Sequence, residues 1–169
     1  MKTQVLIHQF DLQTHLFLNV LQDISEEESF PIVGQHLNSI RWVAGHVLNT
    51  RYNLIAILGG AAGDAHLNKL FGKGSTGKTE EGAPRLDEIK TRWKVASKLL
   101  IQQLQQVSEE KLMTAAPFAL SIADKTVLGT ASFMAVHEGM HIGQLTVLRK
   151  IIGKSALSFA RRAELDSHE

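Results

Sequence analysis

Residues 130–152 read TASFMAVHEGMHIGQLTVLRKII, and the spacing within this stretch decides the fold class. Apolar side chains recur every three or four residues, no proline interrupts them, and Arg149, Lys150 and Gly153 supply a basic last turn and a stop. The pattern predicts a helix that begins after Gly129 and Thr130 and runs to Ile152, roughly 33 Å long at about 1.5 Å per residue. On such a helix His137 and His141 point within about 40° of one another, one turn apart, a spacing that can chelate one metal ion. Met134, Gln144, Leu148 and Ile152 fall within about 40° of their mean direction. Ser132, Gly139, Thr146 and Lys150 lie opposite, so the two histidines face inward.

Three further segments share this periodicity, and strict alternation over strand length is hard to find. The first runs from about Val5 to Leu21 through Phe10, Leu12, Leu16 and Phe17, and stops before the acidic, proline-containing stretch Glu26 to Pro31. The second begins after Ser39, a good N-cap, and carries Ile40, Trp42, Val43, Leu54, Ile55 and Leu58 to a stop at Gly59 and Gly60. The third follows Pro84, with Asp87 and Glu88 near its positive end, and aligns Leu86, Ile89, Trp93, Ala96, Leu99, Leu100 and Leu104. Gly59 to Ala83 is a glycine-rich connection of about 25 residues, too long for antiparallel neighbours but suited to a crossover between helices that run the same way. The expectation is therefore an all-α protein: a four-helix bundle over residues 1–153 with a long crossover between its second and third helices. Residues 154–169 form a tail in which Ser155 to Leu165 has weak helical periodicity and is a candidate short helix.

With 169 residues, 44% of them hydrophobic and 21% charged, the chain can hold a core without disulfides or a structural metal. Lysine and arginine number 18 against 17 acidic residues, a net charge of +1 that provides no broad field for nucleic acid or an anionic membrane, so neither is an expected partner. The absence of cysteine excludes disulfide scaffolds, thiolate zinc sites and cysteine nucleophiles together. Val5, Leu6 and Ile7 make too short an apolar run for a secretory signal, and no run approaches a membrane span, so a cytoplasmic location is expected.

His46 shares a face of the second helix with Trp42, Val43, Thr50, Asn53, Leu54 and Ile57, which makes it a third inward histidine. A lone inward histidine is usually a hydrogen-bonded core residue. Three converging imidazoles are costly to bury without partners, and one divalent ion satisfies three nitrogens while leaving coordination positions open. His46, His137 and His141 are therefore the expected metal ligands. His137-Glu138-Gly139-Met140-His141 also satisfies the zinc-peptidase pattern H-E-x-x-H, with Glu138 as base and Glu164 or Asp166 as a third ligand. That reading ranks lower, because no strand precedes the helix to hold a peptide and His46 would have no role. Gly72 to Thr79 matches the phosphate-cradling pattern G-x-x-x-x-G-K-T, but His66 to Phe71 is not strand-like and Gly82 and Pro84 interrupt any following helix. A basic Gly/Ser link is the preferred reading there.

Two stretches, Ser39-Ile40-Arg41-Trp42-Val43-Ala44-Gly45-His46 and His137-Glu138-Gly139-Met140-His141-Ile142-Gly143-Gln144-Leu145, resemble the paired signatures of the DinB/YfiT-like superfamily, and the order of helices and links is similar from near residue 5 to Gly153. The resemblance implies a four-helix bundle, often a homodimer, with a divalent metal, zinc or nickel, on His46, His137 and His141. It further implies a metal-dependent hydrolase or a transferase that uses a low-molecular-weight thiol on a small-molecule substrate, or else a bundle that binds metal or ligand without turnover. Glu138 and Gln144 are candidate catalytic residues on this view, Glu138 as a base and Gln144 as a hydrogen-bond partner of substrate or metal-bound water. Thr50, Asn53 and Met134 are candidate pocket residues, with ordinary buried hydrogen bonding as the alternative for Gln144, Thr50 and Asn53. His8 and His15 share a face of the first helix and are candidates to line the cavity, whereas His36, His66 and His168 fall in links or tail. Ala135, Gly139 and Gly143 form a small-residue stripe expected to pack against another helix, in this chain or in a second subunit.

Overall fold

The periodic segments become helices because each has a local start signal and an apolar face to bury. In the computed structural model, which describes residues 3–34, 37–61, 63–75, 82–118, 120–161 and 163, the order is α1 (Gln4–Val20), α2 (Glu26–Ser29), α3 (Ile40–Ile57), α4 (Ala65–Phe71), α5 (Leu86–Gln106), α6 (Glu109–Met113) and α7 (Val127–Ile151). No strand occurs among the described residues, which contain one isolated antiparallel bridge, Ala115 with Thr126. The four long helices α1, α3, α5 and α7 are the four expected from periodicity. Ser39 caps α3 as anticipated, accepting from the Trp42 amide.

The short helices were not anticipated, yet each begins with a side-chain cap. Ser25 and Glu28 form a capping box on α2, Asp64 accepts from the first amides of α4, and Ser108 caps α6. Two boundaries differ from expectation. Helix α7 starts four residues early because Thr126 accepts from the Gly129 amide, which leaves Gly129 and Thr130 inside the helix. Helix α5 has no side-chain cap of its own, and Glu26 of α2 accepts from its Leu86 amide across the fold. Leu99, placed on the buried stripe of α5 by spacing, is 38% exposed, whereas Leu86, Ile89, Trp93, Ala96, Leu100 and Leu104 are buried.

Contacts between helix ends give their directions. Arg41 at the start of α3 donates to the carbonyls of Ala83 and Pro84, just ahead of α5, and Gly60 beyond the end of α3 lies against Gln103 near the end of α5. Helices α3 and α5 therefore run the same way, with α4 inside the long connection. Helix α1 is parallel to α7, since Gln13 reaches the Ala135 carbonyl and Val20 and Gln22 meet Arg149. Each long helix packs against two others: α1 and α3 both contact α5 and α7. The core between them includes Phe10, Phe17, Leu48, Leu54, Trp93 and Leu100, with the Phe17 and Trp93 rings stacked at 4.0 Å.

Residues 154–160 contain no helix. Instead they are held across the C-terminal ends of α1 and α7, where Asn19 donates to the Ser158 and Ala160 carbonyls and Arg149 to Ser155. No helix among the described residues is long and apolar enough to cross a membrane.

Candidate metal centre

His46 sits in the first half of α3, and its orientation follows from the residue before it. Gly45 has no side chain, and a Cβ there would fall about 2.5 Å from the Phe71 ring. The last residue of α4 therefore packs directly on α3 and brings its carbonyl within 2.6 Å of His46 Nδ1. A carbonyl can only accept, so Nδ1 carries the hydrogen and Nε2 of the neutral ring presents a bare lone pair. Trp42, one turn earlier, stacks on the imidazole at 5.0 Å and 7° between planes, and its indole donates to Ser75 Oγ.

His137 and His141 meet His46 from α7. Nε2 of His137 lies 3.4 Å from Nε2 of His46 and 3.1 Å from Nε2 of His141, and one ligand nitrogen from each of the three residues lies within 4.8 Å of the other two. Nδ1 of His141 is 2.7 Å from Gln144 Oε1, which fixes the hydrogen on that nitrogen and again turns the lone pair of Nε2 toward the cluster. His137 Nδ1 is buried without a hydrogen-bond partner among the described residues. Three ring nitrogens thus converge with one hydrogen at most between them, an arrangement that a divalent cation satisfies and hydrogen bonding alone does not.

The electrostatics keep these rings neutral, the form that binds metal. Burial lowers the His46 pKa against the Phe71 hydrogen bond, and burial likewise lowers that of His141 against its bond to Gln144. His137 is pushed down to about 4 by burial, then by the neighbouring charges that His141 and His46 would carry if protonated.

Glu138 has a different environment from the one expected of a base. It is 1% exposed, and its two carboxylate oxygens accept from Arg51, Oε1 from Nε at 2.9 Å and Oε2 from Nη2 at 2.6 Å. Burial pushes its carboxyl up and the Arg51 charge opposes that shift. Arg51 also donates to Thr14 Oγ1 of α1 and Ser97 Oγ of α5, and lies 3.5 Å over the Trp93 ring. Glu138 is therefore half of a buried ion pair, and the H-E-x-x-H spacing does not carry a free carboxylate to the histidines.

Gln144 borders the cluster through His141. The hydrogen bond of Thr50 goes to the Val47 carbonyl of its own helix, Asn53 lies against Gly63, and Met134 belongs to the hydrophobic core. His15 is buried beside Asp11 and lines a cavity with Lys94 and Ser97, His8 contacts Gln4 on the surface, and His66 contacts the Gly82 carbonyl. None of these three histidines is part of the converging set. His36 and His168, the alternative ligands Glu164 and Asp166, and Lys78 and Thr79 of the glycine-rich motif lie outside the described residues. Residues 65–71 ahead of that motif are helical, so no strand leads into it. Ala135 and Gly139 face Gln13 of α1 within the same chain, while Gly143 has open space where a Cβ would be.

Sequence reasoning missed Arg51. A signal was present, because Glu138 is the one acidic residue of α7, while α3 contains two arginines and no acid. Lone opposite charges in the middle of apolar helices pair when those helices pack.

An all-helical bundle with a three-histidine cluster between its second and fourth long helices is the setting in which the family match falls. The DinB superfamily model matches residues 9–145, and the chain belongs to that superfamily. No curated protein matches the chain.

Two outcomes test this description. Glu138→Ala should cost about 3–5 kcal/mol in denaturant unfolding by stranding a buried guanidinium, and Arg51→Met with Glu138→Leu should cost less than that single change. Equal or greater loss in the double variant would contradict the account of the pair. In the metal-free protein the His137 ring, followed by NMR, should titrate near 4 and not at its ordinary 6.5. Its lowered value contributes stability that is complete above pH 6.5 and is lost as pH falls through about 4, because the unfolded chain takes up the proton first.

Proposed function

We propose that this protein is a metal-dependent enzyme acting on a small molecule, with one divalent ion, zinc or nickel, held by His46, His137 and His141. The observation that carries the reading is the convergence of three neutral imidazoles, two of them turned by hydrogen bonds so that Nε2 faces the common point. Bound there, the ion would supply Lewis acidity toward water or a low-molecular-weight thiol, which suits hydrolysis or transfer of that thiol to a small molecule. On the thiol reading the sulfur nucleophile comes from outside, since the chain has no cysteine, and that reading implies the reducing cytoplasm. Phe71 and Gln144 position the histidines, and Trp42 and Phe133 pack beside them as an aromatic wall. Glu138 is assigned the structural role that its ion pair gives it.

One observation favours a second reading, a bundle that binds metal or a small ligand without turnover. The carboxylate nearest in sequence to the ligands is bonded to Arg51, so no general base is evident beside them among the described residues. We further propose a homodimer through the outer face of α1 and α7, where Leu12, Val136 and Met140 are exposed beside the open Gly143.

Elemental analysis should find about one divalent ion per chain in the wild type, with loss in His46→Ala and His141→Ala. Retained metal in both variants would overturn the site. Light scattering should give twice the chain mass, falling to the monomer with Met140→Glu, and a monomeric wild type would remove the dimer.

A further inference from the structure

Beside the histidine cluster lies a cavity of about 210 Å³ between the start of α3 and the end of α7, lined by Leu37, Asn38, Val43, Gln144, Val147 and Leu148. It borders the candidate metal centre through Gln144. Val43 is one turn ahead of His46, and Gln144 is the residue whose side-chain oxygen orients His141. Four of the lining side chains are aliphatic and the other two are amides, so none of the described residues in the wall is ionisable.

We propose that this cavity is the specificity pocket of the protein and takes the apolar end of an uncharged small organic molecule with a carbonyl or amide group. The assignment rests on the metal-centre reading for what happens at the other end of that molecule, but the pocket itself stands on its own lining. An ammonium group placed there would give up water without meeting an opposite charge, whereas a short alkyl chain gains from the aliphatic wall. The amides of Asn38 and Gln144 can each donate to a carbonyl and accept from an N–H, which fixes orientation without selecting for charge. The volume lies below the roughly 300–1,000 Å³ of pockets that hold drug-sized ligands, which limits the buried group to a few carbons. Val147 is 58% exposed and forms the rim, so the pocket is open to solvent.

The test is an NMR titration of the full chain with propionamide, butyramide and valeramide, and with 4-aminobutyramide, which carries a charge on the end that would enter the pocket. Shifts should concentrate at Asn38, Val43, Gln144, Val147 and Leu148, with affinity rising about fourfold for each added methylene. 4-Aminobutyramide, whose ammonium replaces the apolar end, should bind at least about tenfold more weakly than butyramide, the order expected for an unpaired charge in an apolar site. Val147→Asp, a change at an exposed position, should abolish the chain-length dependence. Shifts scattered over other surfaces, equal binding of 4-aminobutyramide, or wild-type behaviour in Val147→Asp would overturn the proposal. Metal content measured on the same samples separates the two ideas. Amide binding without metal refutes the metal-centre reading and leaves the pocket standing, and metal without amide binding does the reverse.

Discussion

Arg51 is a cation with no solvent access, and the bundle is arranged around it. From α3 it donates to Glu138 on α7, to Thr14 on α1 and to Ser97 on α5, and its guanidinium lies over Trp93. A buried charge without partners costs several kcal/mol, so packings that break these bonds are strongly disfavoured. The constraint reaches the histidines by simple geometry. Glu138 is the neighbour of His137 and Arg51 lies five residues beyond His46, so the ion pair and the histidine cluster share one register between α3 and α7. Sliding one helix by a turn, about 5.4 Å, would break the ion pair and carry the ligand nitrogens beyond their present 4.8 Å separation.

The chemistry of the cluster follows from where that register puts it. The rings are buried enough to stay neutral yet lie at the edge of the bundle, where Gln144 and the aliphatic cavity open to solvent. Two of the three rings have Nδ1 bonded to an acceptor, one from α4 and one from α7 itself. Such bonds fix the tautomer and hold the ring plane, so less conformational entropy is lost when an ion binds. The same burial that suits the histidines for metal removes Glu138 from use as a base, because a carboxylate one residue along an α-helix turns about 100° away and here enters the core.

The long connection between α3 and α5 has a structural role besides spanning the bundle. Because those helices run in the same direction, the chain must return along its full length, and it does so through α4. Phe71 at the end of α4 fits where Gly45 lacks a side chain, and its carbonyl then orients His46. Glu26 of α2 completes the other end of this arrangement by bonding both Arg41 and the Leu86 amide. Short elements within the links thus set the positions of the long ones.

Much of this was legible in the residue order. Periodicity at three and four residues located the long helices, Ser39 and Gly153 marked two of their ends, and the glycine-rich stretch before Pro84 implied a crossover. The spacing of His137 and His141 and the inward face of His46 were enough to nominate the cluster, because a helix fixes side-chain direction locally. Short helices α2, α4 and α6 escaped notice because their stability rests on caps and packing, which leave little periodic trace. Glu138 could not be assigned from spacing either. A carboxylate about 80° from the ligand direction can reach a metal or a core, and its pairing with Arg51, 87 residues away in the chain, decides between them. Local geometry determines which way a side chain leaves its own helix; which partner it meets there is settled only when the helices pack, since that contact belongs to two distant parts of the chain at once.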